Sequence, residues 1–178
     1  MRVICVIDMQ NDFIDGSLGN EEAMKIVKPM EDYLEMFGAG NVIVATRDTH
    51  GEDYFLTNEG KHLPVPHCQE GTRGWQIRTS IADRLGNNLR IVDKPNFGIS
   101  ADRWKEILSD VDVTEIVLMG LCTDICVVSN ALALKTAFPE IPVKVYRDLC
   151  AGVTVESHEA ALTTMKMCQV DVMNSFEG

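Results

Sequence analysis

Three side chains that could take part in catalysis each follow a short apolar segment of the sequence. Asp8 comes directly after one segment, Lys94 lies two residues beyond another, and Cys126 follows a third. If these segments are parallel strands, their carboxyl ends share one edge of a sheet, where ligands bind. An acid, an ammonium and a thiol would then meet there, although they are far apart along the chain. A thiol-dependent amide hydrolase requires these three groups.

Each residue of this trio also has a simpler interpretation. Asp8 could brace the turn formed by the polar residues that follow it. Lys94 could be an ordinary solvated lysine, and Cys126 could be a small buried hydrophobic residue. In the catalytic interpretation, the charge of Lys94 stabilises a nearby thiolate and lowers the pKa of the thiol.

The segment that contains Cys126 predicts a turn from a strand into a helix. Gly120 permits unusual backbone angles, and Thr123 or Asp124 could cap the helix, so that Cys126 lies in its first turn. A helix N-terminus favours a thiolate and an oxyanion, because it offers free N–H groups and partial positive charge. Cys122 leaves a redox pair with Cys126 as an alternative, although the spacing differs from CxxC.

Candidate metal ligands lie in a long irregular stretch, residues 47–75, which holds three of the four His residues and two of the six Pro residues. Asp48 and His50 are two apart in an extended segment, so both side chains can reach one ion. With His67 they form an open set of nitrogen and oxygen ligands that suits zinc, manganese or iron. Possible fourth ligands are Glu52, Asp53, Glu59 and His62, of which we favour Glu59. Alternatively, these His residues form only local hydrogen bonds.

The elements that must position these residues alternate between strand and helix. The predicted strands are Val3–Ile7, Asn41–Thr46, Leu89–Val92, Thr114–Met119, Val143–Tyr146 and Val170–Met173. The predicted helices are Glu21–Phe37, Ser80–Leu85, Ala101–Ser109, Thr123–Ala137 and Val155–Met167. Asn20 is the predicted N-cap of the first helix, Gly38 its stop, and Pro29 a point of kinking or restart. The alternation predicts a three-layer α/β/α sandwich with a mostly parallel six-stranded sheet, formed by one domain over residues 1–178.

Composition excludes several classes of partner. The net charge is −11, from 27 acidic and 16 basic residues, which argues against nucleic acid and against an anionic membrane surface. No apolar stretch approaches the roughly 18–20 residues of a membrane span, and the N-terminus does not resemble a signal peptide. The six Cys residues accompany a large-core α/β pattern, so we expect reduced thiols and a cytoplasmic protein.

Together, these motifs resemble those of isochorismatase-like cysteine hydrolases, and more closely those of their nicotinamidase branch. The matching segments occur in order along the chain: Ile7–Phe13, Thr46–His50, Pro66–Cys68, Gly71–Thr72, Lys94 and Gly120–Val127. The resemblance implies that Asp8 is the general base, that Lys94 stabilises the charged state, and that Cys126 is the nucleophile. It also implies a cis peptide bond between Leu121 and Cys122, which would aim the N–H groups of Cys122 and Cys126 at an oxyanion.

The resemblance further implies a substrate and a metal. Asp48, His50 and His67 match the ligands of a divalent ion that orients the ring nitrogen of nicotinamide. The predicted substrate pocket contains Phe13, Leu18, Phe97 and Leu121. The expected reaction is the hydrolysis of a small carboxamide, most closely nicotinamide to nicotinate, with release of ammonia through a thioester.

Other functions of the same fold stay open. They are an amidase for ureido or carbamoyl substrates, a metal-free hydrolase of the isochorismatase type, and a catalytically silent binding or assembly protein. Members of the family commonly associate, so we expect a homo-oligomer. Met165, Met167 and Met173 would contribute either to such an interface or to the core.

Overall fold

The architecture is described by a computed structural model for residues 1–176. The strands in this range are β1 (Arg2–Ile7), β2 (Val42–Asp48), β3 (Leu89–Lys94), β4 (Glu115–Leu121), β5 (Val143–Ala151) and β6 (Asp171–Met173). The helices are α1 (Asn11–Ile14), α2 (Glu21–Phe37), α3 (Asn58–His62), α4 (Thr79–Ala82), α5 (Ala101–Ile107), α6 (Val128–Ala137) and α7 (Val155–Met167).

The six strands form one sheet in the order β3-β2-β1-β4-β5-β6, and every neighbouring pair is parallel. The sheet is buried on both faces, as the apolar strand segments predict. Val3, Cys5 and Ile7 of β1 contribute to the core on one face, whereas Ile4 and Val6 contribute to the core on the other. The predicted three-layer α/β/α sandwich is therefore confirmed, with a sheet that is wholly parallel.

Helix α2 shows how local sequence sets the ends of an element. The side chain of Asn20 accepts a hydrogen bond from the N–H of Ala23 at 2.8 Å, and Gly38 ends the helix. Both predicted caps are thus confirmed. The helix continues through Pro29, so the predicted restart does not occur; proline removes one N–H donor, and the packing of the buried face against the sheet maintains the helix.

Three strands extend beyond their predicted ends into polar sequence. Strand β2 reaches Asp48 and β3 reaches Lys94, and these two residues are register partners. Strand β5 continues past Tyr146 to Ala151. The hydrophobic pattern did not predict these ends, because the first residues beyond the predicted ends are polar. They continue the strands through main-chain hydrogen bonds to a neighbouring strand, whose register the apolar segment has already set.

The helices differ from prediction mainly in length. The predicted helix Ser80–Leu85 is the single turn α4, and the predicted helix Ala101–Ser109 ends at Ile107. The stretch predicted to be irregular contains α3 and a 3-10 turn at Tyr54–Leu56. Elements this short have no hydrophobic period to detect in the sequence.

The structure also locates the cysteines, from which reduced thiols were predicted, and the methionines that were considered for an oligomer interface. All six cysteines are free thiols, and no helix within residues 1–176 is long and apolar enough to cross a membrane. Met165 lies in the core, Met173 packs at its edge, and Met167 is 80 % exposed. The homo-oligomer stays a prediction.

We predict that Gly120→Ala lowers the free energy of unfolding by about 3 kcal/mol, because a strained backbone and overpacking each cost about 1–3 kcal/mol. The φ of Gly120 is 128°, and an added Cβ would lie 2.1 Å from the carbonyl oxygen of Ile7. Urea denaturation measures the loss. The matched control is Gly86→Ala, where φ is 70° but no atom lies within 4 Å, with an expected cost of about 1–2 kcal/mol. Equal losses would contradict the prediction.

Candidate active site

The acid, the ammonium and the thiol are in contact at the carboxyl edge of the sheet. The Lys94 Nζ lies 2.7 Å from Asp8 Oδ2 and 3.6 Å from Cys126 Sγ. All three residues are buried, with relative exposures of 2 %, 0 % and 5 %. The structure therefore brings together the three side chains that the sequence singles out for catalysis.

The order of the strands explains how such distant residues meet. Strands β1 and β4 are neighbours at the point where the sheet order reverses, which is where open α/β sheets bind ligands. Asp8 directly follows β1, and Cys126 lies in the turn after β4. Lys94 ends β3 and is paired with Asp48 of β2, so its long side chain reaches the same edge.

Burial and charge determine the protonation of the trio. Burial raises the pKa of Asp8, although the neighbouring Lys94 opposes this. Burial by itself would lower the pKa of Lys94, but the negative charge of Asp8 raises it overall, so the side chain stays an ammonium at neutral pH. Burial first, and then the charge of Asp8, raise the pKa of the Cys126 thiol well above its usual value.

The expected effect of Lys94 on the pKa of the Cys126 thiol is present, but other effects outweigh it. The ammonium does lower it, but burial and the Asp8 carboxylate raise it by more. Cys126 is therefore a thiol in the resting site and needs a base before it can attack a carbonyl carbon. The carboxylate of Asp8 is the neighbouring base.

Thr46 of β2 fixes the orientation of Asp8, and sequence reasoning did not assign it a role. Its hydroxyl accepts a hydrogen bond from the N–H of Asp8 at 3.1 Å and donates one to Asp8 Oδ1 at 2.6 Å. Asp8 itself has a φ of 45°, a left-handed conformation that is uncommon for residues other than Gly and recurs at functional sites. A hydroxyl near the end of an apolar strand was the signal in the sequence.

Gln10 fixes the carboxyl end of strand β2. Its amide nitrogen donates to the carbonyls of Asp48 and Trp75, both at 2.8 Å, and its amide oxygen accepts the N–H of Asp48 at 2.7 Å. In addition, Asp12 Oδ2 accepts the N–H of Cys68 at 2.8 Å. These side chains, which look like ordinary turn residues in the sequence, therefore bind the first loop to the segments that carry the metal ligands.

Asn130 connects the helix after Cys126 to the loop after Lys94. Its side-chain nitrogen donates to the carbonyls of Cys126 at 2.8 Å and Phe97 at 3.2 Å. Its oxygen accepts the N–H of Ile99 at 3.0 Å. Asn130 is completely buried, and an Asn in an apolar helical segment was the only signal in the sequence.

The nucleophile turn, residues 122–127, differs from the predicted capped α-helix. Thr123–Val127 form a π-helical turn that leads into α6, and the N-cap is Cys122, whose side chain makes no capping hydrogen bond. Neither Thr123 nor Asp124 caps this helix; both side chains contact α7 instead. The prediction of a Thr or Asp cap was wrong, because the side chains find partners on a distant element.

The peptide bond between Leu121 and Cys122 is cis, as the family resemblance implied. The N–H groups of Cys122 and Cys126 stay the predicted oxyanion donors. Cys122 and Cys126 are both free thiols and both line the same cavity. A redox pair between them stays an untested alternative.

Four side chains converge on a candidate metal site beside the trio. One ligand atom from each of Asp48, His50, Glu59 and His67 lies within 4.8 Å of all the others. The His50 Nε2 and His67 Nε2 lie 2.8 and 3.3 Å from Asp48 Oδ2, and 3.7 and 3.6 Å from Glu59 Oε1. Metal–ligand bonds of about 2.0–2.1 Å in a tetrahedron separate ligand atoms by about 3.3 Å, so the spacing fits an ion.

The surroundings of these ligands support the same conclusion. The Nδ1 of His67 lies 2.8 Å from the carbonyl of Val65, which fixes the ring and leaves Nε2 for an ion. Asp48 Oδ1 is buried without a hydrogen-bond partner, although it lies 3.5 Å from Lys94 Nζ. Glu59 is the member favoured from sequence as the fourth ligand, whereas His62 contacts the carbonyl of Asn58.

A cavity of about 260 Å³ opens between the trio and the metal group. Its walls are mainly apolar and include Phe13, Leu18, Leu63, Phe97, Ile125 and Val153. Cys126 and His67 also line it, so the thiol and a metal ligand face one space. Ligand pockets usually measure about 300–1,000 Å³, and this cavity therefore suits a small molecule.

Three of the four predicted pocket residues line the cavity. Phe13, Leu18 and Phe97 do so, but Leu121 does not. Leu121 is completely buried in the core that includes α2, because alternation along β4 points its side chain away from the cavity. Sequence reasoning missed Leu63, Ile125 and Val153, which are hydrophobic residues on separate loops and turns without a shared pattern.

Comparison with known proteins identifies the family. The isochorismatase domain family matches residues 2–177. The chain belongs to the isochorismatase family. Family membership agrees with the resemblance inferred from the motifs.

Relatives in this family include enzymes that act on amides. The chain is 27 % identical to the nicotinamidase/pyrazinamidase of Mycobacterium tuberculosis over 98 % of its own length and 100 % of the relative. The zinc complex of the Pyrococcus horikoshii pyrazinamidase is similar with a TM-score of 0.82 at 28 % identity, covering 97 % and 98 % of the two chains. The nicotinamidase of Bacillus subtilis has a TM-score of 0.83 at 25 % identity, with 97 % and 99 % covered.

We predict that His67→Ala weakens zinc or manganese binding by more than about 100-fold. Loss of a residue that only supports a metal ligand costs about 10–100-fold in affinity, and this substitution removes a candidate ligand itself. Equilibrium dialysis followed by metal analysis measures the affinity. His62→Ala is the matched control, since His62 is exposed and lies outside the four-residue group. Equal metal affinities in the two variants would exclude His67 as a ligand.

Proposed function

We propose that this protein is a cysteine amidohydrolase that converts nicotinamide to nicotinate and ammonia. The observation that carries the proposal is the contact of the Lys94 ammonium with both Asp8 and Cys126. The thiol faces a small, mainly apolar cavity that is also lined by the metal ligands Asp48 and His67. A flat aromatic amide suits such a cavity, and relatives of comparable length are nicotinamidases.

In the first proposed step, Asp8 accepts the proton of the Cys126 thiol, and the sulfur attacks the carboxamide carbon. The ammonium of Lys94 offsets the negative charge that passes between Asp8 and the sulfur. The N–H groups of Cys122 and Cys126 stabilise the oxyanion of the tetrahedral intermediate. Asp8 then donates its proton to the amide nitrogen, the C–N bond breaks, and ammonia leaves a thioester on Cys126.

In the second proposed step, water replaces ammonia. Asp8 takes a proton from water, and the resulting hydroxide attacks the thioester carbon. The C–S bond then breaks, the acid is released, and the proton returns to the sulfur of Cys126. The raised pKa of both Asp8 and Cys126 supports this exchange, because burial shifts the two proton acceptors in the same direction.

The metal group supports substrate orientation. Asp48, His50, His67 and Glu59 would hold a divalent ion, which supplies a Lewis-acidic contact for the ring nitrogen of the substrate when bound. Phe13 and Phe97 would enclose the ring. The convergence of four ligands favours this function over a metal-free hydrolase of the isochorismatase type.

We predict that the purified protein hydrolyses nicotinamide faster than any member of a panel of ureido, carbamoyl and vinyl-ether substrates. A coupled assay for ammonia, with product analysis for the vinyl ether, gives kcat/KM for each compound. Preference for a ureido or carbamoyl substrate would keep the amidase chemistry and overturn nicotinamide as the substrate. No turnover of any compound would support the binding or assembly role instead.

We predict that Cys126→Ala lowers kcat by at least about 10⁴-fold, as removal of a nucleophile does in other hydrolases. Nicotinamide binding, measured by calorimetry, should persist because the large apolar side chains that line the cavity are unchanged. Cys168→Ala is the control, since that thiol is exposed. Mass spectrometry after rapid acid quench should detect an acyl adduct on Cys126 in the wild type. Retained turnover in Cys126→Ala would remove this residue from the proposed role.

A further inference from the structure

The nucleophile turn is tied to the start of α7 through Asp124. The two carboxylate oxygens of Asp124 accept the N–H of Val153 at 3.2 and 3.1 Å. The hydroxyl of Ser157 donates a short hydrogen bond to Asp124 Oδ2. Asp124 lies two residues before Cys126, whereas its partners lie about thirty residues later in the chain.

Helix α7 does not require Asp124 as its cap. The hydroxyl of Thr154 accepts the N–H of Ser157 at 3.0 Å, and the hydroxyl of Ser157 in return accepts the N–H of Thr154 at 3.1 Å. This reciprocal pair is a complete capping box. The carboxylate of Asp124 is also favourable near the positive end of the helix dipole, but what it adds is a link between two elements.

A second contact joins the same two elements. The hydroxyl of Thr123 lies 2.8 Å from Nδ1 of His158, and Thr123 is completely buried. Two successive residues of the nucleophile turn are therefore bound to the first turn of α7. A lateral shift of the turn relative to α7 would break both contacts.

The link matters for the cavity, because both linked elements line it. Cys122 and Cys126 of the nucleophile turn face the cavity, and so does Val153, the residue whose N–H Asp124 accepts. Val153 is more than half exposed, so packing alone holds it weakly. Asn20 provides a further tether on the same side, donating to the carbonyl of Gly152 at 3.4 Å.

We propose that Asp124 is a positioning residue for the amide hydrolysis, which holds Val153 and the nucleophile turn in a fixed relation around the substrate. This inference rests on the function proposed above. Reacting atoms must be held about 3–3.5 Å apart, and a misplacement of about 1 Å can cost about 100-fold in rate. Thr123 and His158 reinforce the same link.

The test compares Asp124→Ala with the wild type and with Asp124→Asn. Asp124→Ala should lower kcat by about 10–100-fold, with kcat expressed per folded molecule and the folded fraction taken from urea denaturation. Asp124→Asn keeps one oxygen to accept the N–H of Val153 and should retain at least about a third of the wild-type kcat. If Asp124→Ala does not fold, the kcat of Asp124→Asn can still be measured.

Thr154→Ala is the matched control, because it removes the N-cap of α7 but leaves Asp124 its two direct partners, the N–H of Val153 and the hydroxyl of Ser157. It should lower the Tm but leave kcat within about twofold of the wild type, because the direct contacts of Asp124 stay in place. If Asp124→Ala also keeps kcat within twofold, Asp124 only stabilises α7 and the inference is wrong.

A second readout separates this inference from the proposed function. The rate of Cys126 alkylation by iodoacetamide reports the geometry of the turn without any turnover. It should change at least about fivefold in Asp124→Ala and stay unchanged in Thr154→Ala. If the wild type hydrolyses no amide but the alkylation rates differ as expected, the proposed function fails while the positioning role is retained. Equal alkylation rates in Asp124→Ala and wild type overturn the positioning role.

Discussion

The buried ion pair between Asp8 and Lys94 is the interaction on which the rest of the site depends. Two charges that are almost completely removed from water must neutralise each other, because an unpaired buried charge costs several kcal/mol. The pair lies 2.7 Å apart, and Cys126 contacts the same ammonium. In the proposed first step, the charge that leaves Asp8 on protonation appears on the sulfur beside it, so the ammonium keeps an anionic partner as the thiolate forms.

The same ammonium links the catalytic trio to the metal group. Lys94 Nζ lies 3.5 Å from Asp48 Oδ1, while Asp48 Oδ2 faces His50 and His67. Asp48 therefore divides its two oxygens between the lysine and the two histidines of the candidate metal site. Thr46 also connects the two groups, because it orients Asp8 and lies two residues before Asp48 on strand β2.

Because the strands are parallel, residues that are far apart along the chain meet at one edge of the sheet. All six strands end at one edge, and four of these ends carry a component of the site: Asp8 after β1, Asp48 at the end of β2, Lys94 at the end of β3 and the turn with Cys126 after β4. The loops that follow are held by buried side chains such as Gln10 and Asn130 rather than by regular structure. A rigid base with individually tethered loops suits a site that must hold one small substrate in a single orientation.

The sequence by itself determined the α/β sandwich and the trio Asp8, Lys94 and Cys126, because apolar runs and helical periods are local signals and strand ends share one edge. Motif order likewise identified Asp48, His50 and His67. The sequence favoured Glu59 among four candidates, and the tertiary structure brings it beside these three residues. Only the tertiary structure showed that Leu121 lies in the core and that burial outweighs Lys94 in setting the pKa of the Cys126 thiol. The contacts of Asp124 with α7 also required the structure. Each depends on which side chains from distant segments pack against one another and on how much water they exclude, and no local pattern in a chain encodes either quantity.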